Sequence, residues 1–321
     1  MSKHSMDLTQ GSVLKKLLIF AFPLWLATLV QQVYHAADVI VVGNFAENST
    51  TALAAVGSTG SVTNMILNLF LGVSAGASVR IANLYGAREG ENLRKSMTTA
   101  LIASLVGGVL VSVVGFALAR PLLLLMGSPL DVIDQATAYM QIIFLGKPAV
   151  MVYNTCSAIM RAHGEAKRPM YILTATGLVN VVLNLVLVIN FHMDVRGVAI
   201  ATITSQYLSA IVSIYLMFHP MGEYRLKLSE FVFDKTEFSK IVRIGVPAGI
   251  NAMVFNFSNA VVISAVNAMG SVTVAAVSAD EDVQELLRHR IVLYDHNIDQ
   301  VSHSLLPERI RANFGVLSTV M

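Results

Sequence analysis

Lys16-Leu-Leu-Ile-Phe-Ala-Phe-Pro23 returns as Lys240-Ile-Val-Arg-Ile-Gly-Val-Pro247. Downstream, Thr51-Ala-Leu-Ala-Ala-Val-Gly57 returns as Val272-Thr-Val-Ala-Ala-Val-Ser278. Each pair brackets a long apolar segment. A unit of membrane helices therefore begins, runs to the second lysine, and begins again. Repeated bundles let two similar halves rock around a site between them.

Composition agrees with a membrane chain. Of 321 residues, 55% are hydrophobic and 13% charged, with a mean hydropathy of +0.65. A soluble domain carries about a quarter charged residues. Clustering of the charges leaves apolar runs of 18 residues or more, long enough to span a bilayer as helix. A net charge of +2 offers no nucleic-acid surface. The single cysteine, Cys156, lies in an apolar run, which excludes an internal disulfide and a thiolate metal site. Residues 1–10 are polar, and the first apolar run is too long for a signal peptide and lacks a cleavage motif.

Seven helical spans are expected, at 14–42, 53–84, 97–120, 136–160, 169–191, 197–218 and 240–266, separated by turn and charge signals. The runs are too long for barrel strands and lack their alternation. Lys and Arg set the orientation. Lys3, Lys15, Lys16, Arg80, Arg88, Arg94, Lys95, Arg161, Lys167, Arg168, Arg225, Lys227, Lys235, Lys240 and Arg243 fall on one side, and only Arg120 and Arg196 on the other. The rich side, with the N-terminus, is expected in the cytoplasm. Six helices return the chain to that side, so the repeat restarts with the same polarity.

The fold class is an all-α integral membrane protein: a six-helix transmembrane bundle plus the first helix of a second, repeated bundle. The expected divisions are a cytoplasmic N-terminus (1–13), the first bundle (14–218), a cytoplasmic loop (219–239), the start of the second bundle with helix seven (240–279), and a polar tail (280–321). That tail changes character. It holds Asp280, Glu281, Asp282, Glu285, Arg288, Arg290, Asp295, Asp299, Glu308, Arg309 and Arg311, and no span follows. A truncated or frameshifted product is the expectation for a switch inside what should be the next helix.

Polar residues inside the spans are the candidate site, because burying them is costly unless they are used or paired. Asp38 is the only acid within the seven apolar cores. A carboxylate there can bind sodium through its oxygens or take a proton. Gln31, His35 and Asp38 follow at i, i+4 and i+7, on one helical face. His35 either relays or tunes a proton, or hydrogen-bonds a neighbouring helix. Asn180 and Asn184 repeat the i, i+4 spacing, and their carboxamide oxygens suit a hard cation. Thr202 adds a hydroxyl. The alternative for these three is interhelical hydrogen bonding, worth about 1 kcal/mol each. Lys147, within the fourth span, must snorkel outward, pair with Asp38 or bias a pocket against cations.

Several motifs together resemble the multidrug and toxic compound extrusion (MATE) family. They are Phe22-Pro23 and Ala37-Asp38-Val39 in the first helix, Asn83-Leu-Tyr-Gly86-Ala-Arg88, Gly146-Lys-Pro148, Tyr153-Asn154, Arg161-Ala-His-Gly164-Glu165, Asn180-Val-Val-Leu-Asn184 and Gly197-Val-Ala-Ile-Ala-Thr202. The resemblance implies a twelve-helix antiporter exporting drugs or organic cations in exchange for protons or sodium ions. It implies a multi-pass protein of the inner (cytoplasmic) membrane whose partners are the lipid bilayer and small organic or cationic substrates, with no nucleic acid, no known protein partner and no cofactor beyond the coupling ion. In the family branch with a cation site in this bundle, the position of Asn184 is commonly an acid. Asn184 leaves Asp38 as the only charged ligand. After Pro247 there is no acid, so a second-bundle proton site used by another branch is absent. The chain as written, ending after helix seven, is expected to be inactive. The alternatives are a lipid-linked saccharide flippase of similar architecture, for which Lys147 alone is thin support, or a non-functional gene remnant. An enzyme is not expected, because Asp38 and His35 have no second carboxylate or His-x-x-x-His partner in the spans.

Overall fold

The computed structural model describes residues 13–46, 49–218, 226, 231–267 and 274; the polar tail 280–321 and most of the loop 219–239 lie outside these described residues. The described chain is helical throughout. Its elements are α1 (Val13–Phe45), α2 (Ser49–Gly86), α3 (Gly90–Leu125), α4 (Ile133–Leu145), α5 (Lys147–Ala162), α6 (Lys167–Leu185) continued by a π turn (Val186–Asn190), α7 (Asp194–Phe218) and α8 (Lys235–Asn267).

The turns form where the sequence supplies left-handed backbone. At Gly127 (φ 67°) the Gly127 amide bonds Leu124 O and the Ser128 amide bonds Leu123 O, closing α3. Gly164 (φ 81°) closes α5 in the same way, through Arg161 O and Met160 O. At the start of α8, the Asp234 carboxylate accepts from the amides of Thr236 and Glu237 at 2.8 and 2.9 Å.

Four described helical stretches are long and apolar enough to cross a membrane: Ala21–Phe45, Gly90–Leu125, Lys167–Asn190 and Asp194–Phe218. On α3 the residues Leu105, Val106, Val109, Leu110, Val113 and Val114 are exposed, an apolar face suited to lipid. The fourth expected span is not one rod. Ile133–Leu145 and Lys147–Ala162 meet at a 43° bend. The cause is Pro148, which has no amide to offer Phe144 and whose ring crowds that carbonyl. The bend is held from both sides. A Cβ on Gly108 of α3 would lie 2.6 Å from Pro148 Cα, and one on Gly146 would lie 2.5 Å from Gln206 Oε1 of α7.

The α2 and α8 helices lie backbone to backbone through glycines. A Cβ on Gly72 would sit 2.3 Å from Gly245 O, and one on Gly76 2.3 Å from Ile241 O. An ionic clasp ties one end of the pair. Arg80 donates twice to Glu237, at 2.8 Å each, and Lys240 donates at 2.9 Å. The Arg80 bonds hold the Glu237 carboxyl below the usual glutamate range, against the opposing effect of burial and with help from Lys240. Its stabilisation is therefore complete above the ordinary glutamate pKa and is lost only as pH falls through the lowered one.

Candidate functional site

Asp38 sits near the end of α1, where α6 and α7 both pack against that helix. The register is set one turn earlier. Tyr34 donates to Leu173 O at 2.5 Å and lies on Gly177, where any Cβ would collide with its ring. Only glycine leaves room for that ring, so α1 approaches α6 closely and Asp38 arrives opposite Asn184.

Four side chains then close a ring. Asn184 Nδ2 donates to Asp38 Oδ1 and reaches Asn180 Oδ1 at 3.3 Å. Asn180 Nδ2 donates to Thr202 Oγ1 at 3.4 Å, and Thr202 Oγ1 donates to Asp38 Oδ2 at 3.4 Å. Asp38 is 7% exposed, Asn180 3% and Asn184 0%. Thr202 is half-buried. The ring gathers one carboxylate, two carboxamides and a hydroxyl from three helices, with a single formal charge. A small cation or a proton is the ligand such a group can hold.

Gln31 and His35 stand apart from these four bonds. Both are exposed, whereas Gln32 is buried. The shared face expected for Gln31, His35 and Asp38 exists as helical geometry, but α6 and α7 cover it only at Asp38. Lys147 does not snorkel outward: it is 4% exposed, at the first residue of α5.

Tyr34 and Gly177, which position Asp38, were not picked out from sequence. The available signal was a glycine inside an uninterrupted apolar helix, a position that costs stability unless a close neighbour requires it. A cleft of about 370 Å³ lies elsewhere, lined by Gln135, His192, Met193, Asp194, Val195 and Arg196 at the α6–α7 turn.

The MatE family profile matches residues 23–186, about half of the chain. The probable multidrug resistance protein YoeA of Bacillus subtilis is 30% identical over 84% of this chain and 59% of its own length. The probable multidrug resistance protein YpnP of the same organism is 29% identical over 88% of this chain and 62% of its own. A solved inward-facing multidrug resistance MATE transporter of the MOP superfamily superposes with a TM-score of 0.73 at 24% identity, covering 82% of this chain and 61% of that one. That likeness concerns the fold. The chain spans about three fifths of the length of these relatives.

Proposed function

The chain belongs to the MatE family of multidrug and toxic compound extrusion transporters, and on that premise we propose that it serves ion-coupled export of small organic, chiefly cationic, molecules across the cytoplasmic membrane. The ring around Asp38 carries this reading. A lone carboxylate at a helix-packed position can be loaded and unloaded with a proton or a sodium ion, and its neutralisation changes how strongly α1, α6 and α7 hold one another. Both Bacillus subtilis relatives are described as probable multidrug resistance proteins, and the exchange of one positive charge for another at a single carboxylate favours cationic molecules among such substrates.

The orientation follows from the Lys and Arg asymmetry, with the N-terminus cytoplasmic. Single cysteines at Gln135 and Glu91 test it, since the native Cys156 is buried and gives little background. A membrane-impermeant thiol reagent added to intact cells should label position 135 and spare position 91. Labelling of position 91 from outside would overturn the orientation.

The function itself is tested by efflux of a cationic dye from vesicles holding a form extended to the full length of the curated relatives. Efflux should accelerate when a proton or sodium gradient is imposed and return to the leak rate when the gradient is collapsed. Export indifferent to both gradients would contradict ion coupling.

A further inference from the structure

We propose that Lys147 anchors a buried oxyanion subsite, which takes the carboxylate, sulfonate or phosphate of an exported molecule whose other end is cationic. The inference rests on the export reading and narrows its substrate class to amphoteric compounds.

The depth of Lys147 comes first. It stands at the break between α4 and α5, near the middle of the bent pair Ile133–Ala162. At 1.5 Å per residue either end of that pair is about 20 Å away. The side chain is 4% exposed, so its stem does not carry the ammonium out to the membrane surface.

The second observation is the missing counter-charge. Among the described residues the ion pairs join Arg80 and Lys240 to Glu237, Lys95 to Glu91, Arg120 to Asp134 and Arg168 to Glu165. None of them takes in Lys147. Asp38, the one acid in the apolar cores, accepts from Asn184 and Thr202. A buried cation without an anion is strongly destabilising, so its presence in a span points to a ligand that brings the charge.

The surroundings fix the rest of the ligand. Met151 lies one turn along α5 on the same face as Lys147 and belongs to one buried cluster with Val41 and Val42 of α1. Val42 in turn lies one turn beyond Asp38 on α1. The ammonium and the carboxylate therefore flank one apolar cluster, which suits a molecule with an apolar body between unlike charges. The thioether of Met151 adapts readily to such a body. At the residue before Lys147, a Cβ on Gly146 would lie 2.5 Å from Gln206 Oε1, and that oxygen is buried without a hydrogen-bond partner. Buried acceptors are rarely left so. An unpaired acceptor close to an unpaired cation suits a ligand that brings a hydrogen-bond donor as well as an oxyanion.

A purely cationic substrate fits less well. Lys147 repels it, and its binding leaves the ammonium without a partner. A lipid headgroup carries the same oxyanion, but headgroups lie about 15 Å from a mid-span residue, so the exported molecule is the source assigned.

The test is fluorescence anisotropy of two dyes with the 321-residue chain in phosphatidylcholine nanodiscs. One dye is a rhodamine methyl ester, a cation. The other is the free acid of the same rhodamine, which adds a carboxylate. The wild type should bind the acid tighter than the ester by at least about tenfold, the size of one hydrogen bond to a charged group. Lys147→Met should invert the order, weakening the acid by a similar factor and tightening the ester, because the repelling charge is gone. Lys147→Arg should keep the acid preferred. Equal binding of the two dyes by the wild type, or no binding of either, overturns the inference, as does an acid preference that Lys147→Met retains. Phosphatidylglycerol in place of phosphatidylcholine should leave the preference intact. Its loss in the anionic lipid would assign the subsite to a headgroup and overturn the substrate class. Should Lys147→Met fail to fold, the wild-type comparison of the two dyes decides. The export reading is judged separately, by gradient-driven efflux from the form extended to the relatives' full length. Efflux indifferent to the gradient would contradict that reading while leaving the acid preference in place.

Discussion

Gly245→Leu is expected to separate α2 from α8 and to be among the most destabilising substitutions in the described chain. A Cβ at position 245 would lie 2.4 Å from Gly72 O and 2.9 Å from both Gly72 C and Val73 Cα. These are backbone atoms of a helix and cannot rotate aside. Overpacking a helix contact costs about 1–3 kcal/mol and occasionally more. The upper end applies, because the whole side chain must be accommodated by moving one helix away from the other. The reciprocal substitution, Gly72→Leu, should behave alike, since its Cβ would meet Gly245 O at 2.3 Å and Gly249 N at 2.5 Å. Gly86→Leu is the control, as nothing lies within 4 Å of its added Cβ. Thermal unfolding of the purified chain should show a large drop in midpoint for position 245 and little change for position 86. Equal midpoints would mean that the two helices do not rely on this approach.

Much of this architecture can be read from the sequence, and the exceptions have physical causes. The spans follow from the apolar runs, and the α3 and α5 ends follow from Gly127 and Gly164, because turn chemistry is local. The break at Gly146 is harder to see. Apolar residues continue on both sides of it, so hydropathy reports one span, and Pro148 can be absorbed in a helix unless neighbours hold the bend. Here Gly108 and Gln206 do so. The π turn Val186–Asn190 leaves no mark on periodicity, since one widened turn shifts the pattern by less than apolar runs can register. At the site, Asp38, Asn180, Asn184 and Thr202 stand out as polar residues in apolar helices. Helical spacing brings Gln31 and Asp38 to one face, but what covers that face is a tertiary fact. It is covered at Asp38 and open at Gln31. The contact of Tyr34 with Gly177, which sets the register, joins residues far apart in the chain and has no local signature.

Asp38→Asn is expected to abolish ion-driven efflux without harming the fold. Asparagine keeps the shape of the side chain and can still accept from one ring partner, while its amino group can donate to the Thr202 oxygen. Removing a buried charge eases burial, so the thermal midpoint should hold or rise. The function is lost for a different reason. Asp38 is the only acid in the apolar cores of the expected spans. No neighbour can take its proton or its ion, and the gradient then has nothing to act on. The decisive measurement is dye efflux from vesicles containing the form extended to the relatives' full length, wild type beside Asp38→Asn at matched protein content, under an imposed proton or sodium gradient. The ring at Asp38 predicts gradient-accelerated efflux in the wild type and only leak in the variant. Efflux at the wild-type rate in Asp38→Asn would contradict it.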